Sequence, residues 1–151
     1  GALPAEGSTA PDLSLTDGEL NEKTLADCAG KKKILNIAPS YDTSVCALTA
    51  KQFSGRVAGR DDVVLLDISA DLPFAQARFC EAESIDNGLF LSSFRSSFGR
   101  DYGVEMTDGP LRGLLARAVL VLDEGDRVIH AQLVPEIAQE PDYDAVISAL
   151  G

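Results

Sequence analysis

Thr43 and Cys46 stand three residues apart in the stretch "PSYDTSVC" (39–46), directly after the apolar run "ILNIA". An apolar run that gives way to helical spacing reads as a strand turning into a helix, with Cys46 in the helix's first turn. The N–H groups of a first turn have no partner within the helix, and the helix dipole adds to their pull on an anion. A thiol in that place is partly thiolate, and so a nucleophile. Thr43 supplies a hydroxyl that can bond to the sulfur, or to an oxygen substrate beside it, but cannot form a disulfide with it. Free cysteine is also among the most buried residue types, so the stretch on its own equally allows a packing thiol.

The other reactive types are few. Cys28, Cys46 and Cys80 are the three cysteines, an odd and small number that does not suggest a disulfide scaffold. No C-x-x-C occurs and His130 is the only histidine. A structural zinc site needs about four ligands at suitable spacing, so no metal and no other cofactor is expected. A Cys-His hydrolase would have to use His130, which lies in an alternating apolar stretch and reads as a strand residue. The net charge of −11 repels nucleic acid and anionic membranes, so neither is expected as a partner. No apolar run approaches the roughly 18–20 residues that span a bilayer, and "GALPAEGSTAP" has neither the basic start nor the apolar stretch of a signal peptide. The chain begins with Gly, as a trimmed or replaced start would, which leaves export open; the cytoplasm is the expected location.

The elements that position these residues alternate. "PDLSL" (11–15) reads as a short strand and "TLADCAG" as a helical turn ending at Gly30. "KKKILNIAP" is a basic run, read as solvated, leading into a buried strand. Val45, Leu48, Ala50, Phe53 and Val57 recur near helical spacing, with Asp42 or Thr43 able to cap the start. "DVVLLDIS" (62–69) is the unbroken apolar run of a strand covered on both faces. A helix opens near Asp71 with Pro73 in its first turn. "GLFLSS" is a short strand and "SFRSSFGRDYG" a short helix. "ARAVLVLDEGDRVIHAQLV" is a hairpin turning at Asp123–Asp126, and "EPDYDAVISALG" is a terminal helix. The 151 residues suffice for one domain with a sizeable core. Strand–helix alternation closed by a hairpin and a helix predicts an α/β, thioredoxin-like fold with a central mixed sheet flanked by helices.

"PSYDTSVC" matches the P-x-x-x-T-x-x-C signature of peroxiredoxins. "DLPFAQARFC" resembles the resolving-cysteine helix of one branch, the bacterial thiol peroxidases, which are atypical two-cysteine peroxiredoxins. "YGVEMTDGPLRGLLARAVLVLDE" and "LVPEIAQEPDYDAVISAL" are similar to that branch in order and spacing. The resemblance covers nearly the whole chain and implies a single domain over residues 1–151, lacking the family's N-terminal hairpin. It implies that Cys46 is the peroxidatic cysteine, that Cys80 resolves it by an intramolecular disulfide, and that thioredoxin recycles the pair. Thr43 and Arg117 are implied as the polar groups around the peroxide, Pro39 as the residue shielding the pocket, and a homodimer as the assembly. From "ARAVLVL" alone, Arg117 reads as a surface charge on an edge strand; only the resemblance moves it into the site. Cys28 matches no catalytic position and is read as packing. Ser44 stands where the family often has Gly, and its side chain is expected to narrow the pocket mouth. "GPLRGLL" is a candidate lining for an apolar approach by organic peroxides.

A thiolate alone does not make a fast peroxidase. Lowering a thiol's pKa from about 8.5 to about 6 raises the thiolate fraction at neutral pH near thirtyfold. The accompanying loss of nucleophilicity takes back roughly tenfold. Donors aimed at the departing oxygen must therefore supply most of the rate, each about 10²–10³. Two other readings of the same fold are a thiol-based peroxide sensor or dithiol oxidoreductase, which would turn over slowly with peroxide, and an interaction module with inert thiols, which would not react.

Overall fold

The computed structural model describes residues 2–85, 87–136 and 138–151. In chain order the elements are β1 (Leu15–Thr16), β2 (Glu22–Lys23), a 3₁₀ turn (Leu25–Cys28), β3 (Lys32–Ile37), α1 (Ser44–Arg56), β4 (Val63–Ser69) and α2 (Pro73–Glu83). They continue with β5 (Leu89–Ser92), α3 (Phe98–Asp101), β6 (Ala118–Leu122), β7 (Val128–Leu133) and α4 (Tyr143–Leu150). The seven strands form one mixed sheet in the order β2-β1-β5-β4-β3-β6-β7. β3, β4 and β5 are parallel neighbours, and β6 runs antiparallel to β3. The sheet and its flanking helices make the thioredoxin-like α/β fold that the alternation of elements predicts.

The apolar runs are central because both faces of the sheet are covered. Side chains alternate across a strand. One set, including Leu35, Ile37, Leu66, Ile68, Leu91 and Leu120, packs with Cys28 of the 3₁₀ turn and with Phe98 and Tyr102. The other set, Ile34, Val63, Leu65, Val119 and Val121, meets Phe53 and Val57 from the α1 side and Val146 and Leu150 of α4. Phe53 and Tyr143 meet edge-to-face at 5.1 Å, which ties α1 to α4. A third, smaller cluster of Ala38, Tyr41, Cys46, Ala50 and Phe90, with Phe79 and Cys80 packed against it, continues the second face.

The basic run departs from its sequence reading. Lys31 is exposed, but the Lys33 side chain is fully buried and pairs with Asp126 at 2.5 Å. Lys32 donates to the Leu150 carbonyl at 2.6 Å. The run is therefore an anchor between β3, the β6–β7 turn and the end of α4, and only its first residue is fully exposed.

Candidate active site

Cys46 is the third residue of α1 and has no solvent exposure. The chain before it is tied down by hydrogen bonds. Asp71 accepts from Ser40 Oγ at 2.7 Å, from the Tyr41 N–H at 2.8 Å and from Ser69 Oγ at 2.9 Å. The Tyr41 hydroxyl reaches under the loop to donate to the Asn36 carbonyl at 2.8 Å. The carboxylate of the β4–α2 connection thus holds the loop that carries the thiol.

Arg117 stands at the start of β6, on the face shared by Val119 and Val121. It is only 2% exposed, and its Nη2 donates to Cys46 Sγ at 3.2 Å. The edge-strand surface reading of Arg117 is overturned: the structure brings together a cation and a thiol that lie 71 residues apart. The guanidinium lies against the sulfur, and its planar set of N–H groups forms a rigid fork suited to oxygen.

Thr43 is the residue before α1, with extended backbone angles. Its hydroxyl donates to the Ser40 carbonyl at 2.9 Å, so the proton is committed to the loop while the oxygen lone pairs stay available. Pro39 is buried at the bend leaving β3. A groove of about 560 Å³ runs between the start of α1 and α2, with Thr43, Ser44, Ala47 and Phe79 in its wall. Ser44 is exposed on that wall, and Cys46, Arg117 and Pro39 do not line the groove. No residue of "GPLRGLL" lines the groove, and Leu115 turns into the core on the opposite face of the sheet.

Cys80 lies in α2, half-buried against the cluster that holds Cys46. Burial, and then the charge of Asp67, push its thiol up to about 11, so it is protonated at neutral pH. Cys28 is buried on the other face, and the sheet separates it from the pair. All three cysteines are free thiols. Among the described residues, no group of three or more His, Cys, Asp and Glu is arranged to hold a metal. No helix among them is long and apolar enough to cross a membrane.

Three contributors escaped the sequence reading. Tyr41 and Asp71 show no local signal, because their partners lie on other elements. Asp67 shows one: it is a charge inside the apolar run "VVLLDIS". It is fully buried, accepts from Asn36 Nδ2 at 2.7 Å, and burial pushes its carboxyl up to about 7.

Known proteins resemble this chain in sequence and in overall fold. The family model described as Redoxin matches residues 5–147. The proteins described as "Thiol peroxidase" from Mycobacterium tuberculosis and Mycobacterium bovis are 51% identical over 151 residues, covering 100% of this chain and 91% of theirs. A peroxiredoxin-like protein from Aquifex aeolicus has a TM-score of 0.94 at 39% identity, over 99% of this chain and 88% of that one. A thiol peroxidase from Chromobacterium violaceum, 24% identical, shares the fold at a TM-score of 0.92, over 99% of this chain and 87% of its own. With the family model spanning nearly its full length and half its residues shared with the mycobacterial enzymes, this chain belongs to the Redoxin family and, within it, to the thiol peroxidases, which are peroxiredoxin enzymes.

Proposed function

We propose that the chain reduces hydrogen peroxide and organic hydroperoxides through Cys46, resolves the product with Cys80, and is recycled by thioredoxin. The observation that carries this reading is the Arg117 guanidinium 3.2 Å from a fully buried thiol at a helix start. The Cys46 thiolate attacks one peroxide oxygen. The O–O bond breaks, the departing oxygen leaves as alkoxide or hydroxide and takes up a proton, and Cys46 becomes a sulfenic acid. Charge grows on the departing oxygen as the bond stretches. The Arg117 N–H groups, the N–H groups of the first α1 turn and, once turned from Ser40, the Thr43 hydroxyl are the donors for it. Pro39 closes the floor of the site at the β3 bend.

Cys80 then displaces water from the sulfenic acid to give the Cys46–Cys80 disulfide, and a thioredoxin dithiol restores both thiols through a mixed disulfide. A thiol held up to about 11 inside α2 is a poor nucleophile where it stands. Bonding distance also requires Cα atoms within about 7 Å. The protonated, half-buried state of Cys80 favours unwinding of α2 around it before the disulfide closes. Residues 1–151 act here as one thioredoxin-like domain, in the cytoplasm and as a homodimer.

Serine variants test the two roles. Cys46→Ser is expected to consume no peroxide above background. Cys80→Ser is expected to consume about one equivalent and stop as a sulfenic acid on Cys46, trapped by dimedone and located by mass spectrometry. A reactive Cys46→Ser beside an inert Cys80→Ser reverses the assignment.

A further inference from the structure

The mechanism makes no use of the carboxyl buried beneath both cysteines. Asp67 projects from β4 to the same face as Asn36 of β3, its register partner, and Phe90 of β5. Asn36 Nδ2 donates to Asp67 Oδ1 at 2.7 Å. That bond leaves two oxygens, Asp67 Oδ2 and Asn36 Oδ1, both buried and both without a hydrogen-bond partner among the described residues. If Asp67 is ionised, both are acceptors only, and a buried carboxylate holds a full charge on a single hydrogen bond. Such an arrangement is strongly disfavoured. One proton on Oδ2 changes the count, because the carboxyl becomes neutral and the buried charge is gone.

Among the described residues, the groups facing this pair offer no alternative. From β3 comes only the neutral Asn36, from the loop before α1 the Tyr41 ring, from α1 Cys46 and from α2 Cys80. Asp71, above Tyr41, is another carboxylate. Arg117, the cation on this face, donates to Cys46. Only burial and the Asn36 bond act appreciably on the Asp67 carboxyl.

The cover over Oδ2 belongs to the α2–β5 connection. A Cβ at Gly88 would lie 3.2 Å from Oδ2, so the backbone just before β5 closes directly onto it. The last turn of α2 is fastened at Cys80 itself, whose carbonyl accepts from the Ile85 N–H at 3.0 Å. An α2 that unwinds around Cys80 loosens this connection and admits water to the carboxyl.

We propose that Asp67 is a redox-linked proton site, neutral beneath closed α2 in the dithiol form and ionised once the Cys46–Cys80 disulfide has formed. The inference rests on the disulfide reading above. In the resolving step the Cys80 S–H proton and the sulfenic OH leave as water while the S–S bond forms, and Asp67 separately releases its proton to solvent. Asp67 exchanges no electrons. For the oxidative half of the cycle, hydroperoxide, the two cysteine side chains and protonated Asp67 give alcohol, water, disulfide, ionised Asp67 and the one proton it releases. Reducing the disulfide therefore takes up two electrons and one proton more than the two sulfurs alone take up, wherever closed Asp67 is protonated and uncovered Asp67 is not. Acid then favours the dithiol form and delays resolution, and the sulfenic acid on Cys46 stays open to a second peroxide for longer.

The test uses the full chain and its Asp67→Asn variant, whose side chain has the shape of the neutral acid. Each is equilibrated with dithiothreitol redox couples from pH 5 to 6.5, and the Cys46–Cys80 crosslink is verified by peptide mapping. The wild-type equilibrium constant is expected to shift by an additional factor of about ten per pH unit relative to the variant, about 30 mV per pH unit. Infrared spectra at pH 6 are expected to show a protonated-carboxyl band in the reduced wild type that vanishes on oxidation. Parallel slopes with the crosslink present overturn the Asp67 proposal alone; absence of the crosslink overturns it together with the disulfide reading. Should Asp67→Asn not fold, the wild-type band decides: its loss on oxidation supports the proposal, and an unchanged spectrum overturns it.

Discussion

At the scale of single residues, the site depends on one long-range contact, Arg117 to Cys46. Replacing Arg117 by Ala removes a buried charged donor from both the sulfur and the departing oxygen. The first oxidation is expected to slow by about 10²-fold or more, read by stopped-flow with hydrogen peroxide; wild-type speed would place Arg117 outside the chemistry. Thr43→Val should also impair this step more than reduction of a preformed disulfide, because its hydroxyl serves the loop and the pocket. Equal losses in both steps point to the Ser40 hydrogen bond alone. Legibility at this scale followed the range of each interaction. Cys46 announces itself through its own neighbours, a strand end, a threonine and a helix start. Arg117 and Lys33 do not, because an Arg in "ARAVLVL" and a Lys in "KKK" look solvated until a partner from far along the chain is known. Asp67 passed unremarked within "VVLLDIS", and its meaning needed Asn36 and the cover at Gly88.

At the scale of elements, periodicity carried most of the reading. β3, β4, β5, β6, β7 and the four helices lie where apolar runs, helical spacing and turn residues put them. β1 and β2 are two residues each, too short for any pattern to mark β2 at all. "GPLRGLL" misled because apolar loop residues face a core as readily as a groove. α2 is the element whose ending bears on function. It stops at Ser84 with φ of 56°, a left-handed conformation that glycine adopts freely and serine does not. Its end is also tethered to α1 by the Lys51–Glu83 ion pair and by Asn87 Nδ2 donating to the Ser54 carbonyl at 2.7 Å. The ion pair is partly exposed and contributes little. The strained Ser84 leaves the last turn easier to open than a glycine would. Ser84→Gly is expected to stabilise the reduced protein by about 1 kcal/mol and to slow disulfide closure by up to about fivefold, read as the rate at which the sulfenic acid disappears after one equivalent of peroxide. Unchanged closure with a raised melting temperature would mean that α2 does not unwind at this end.

At the scale of the whole molecule, the buried acid sets how stability depends on pH. Asp67 ionises at about 7 in the folded chain and near 3.8 in the unfolded one. Between those values the native state holds a proton that the unfolded state has lost. Its contribution is therefore fully present below about pH 4 and is lost as pH rises through 7. The gap corresponds to roughly 4 kcal/mol, a large share of the 5–15 kcal/mol that holds a typical domain together. Glu22 and Asp62 run the other way, since Arg95 and Arg60 hold their carboxyls below the usual range, and what they contribute is lost on acidification. Both are exposed and screened, so Asp67 dominates near neutrality. Growing self-repulsion in a chain of net charge −11 adds to the decline at higher pH. Reduced wild type is therefore expected to be more stable at pH 5.5 than at pH 8 in urea unfolding. Asp67→Asn, which keeps an oxygen to accept from Asn36 Nδ2 without a titrating group, should exceed wild type at pH 8 by roughly 2–4 kcal/mol. That advantage should shrink by more than half at pH 5, and a gap constant across the range would show that Asp67 is ionised throughout in the folded chain.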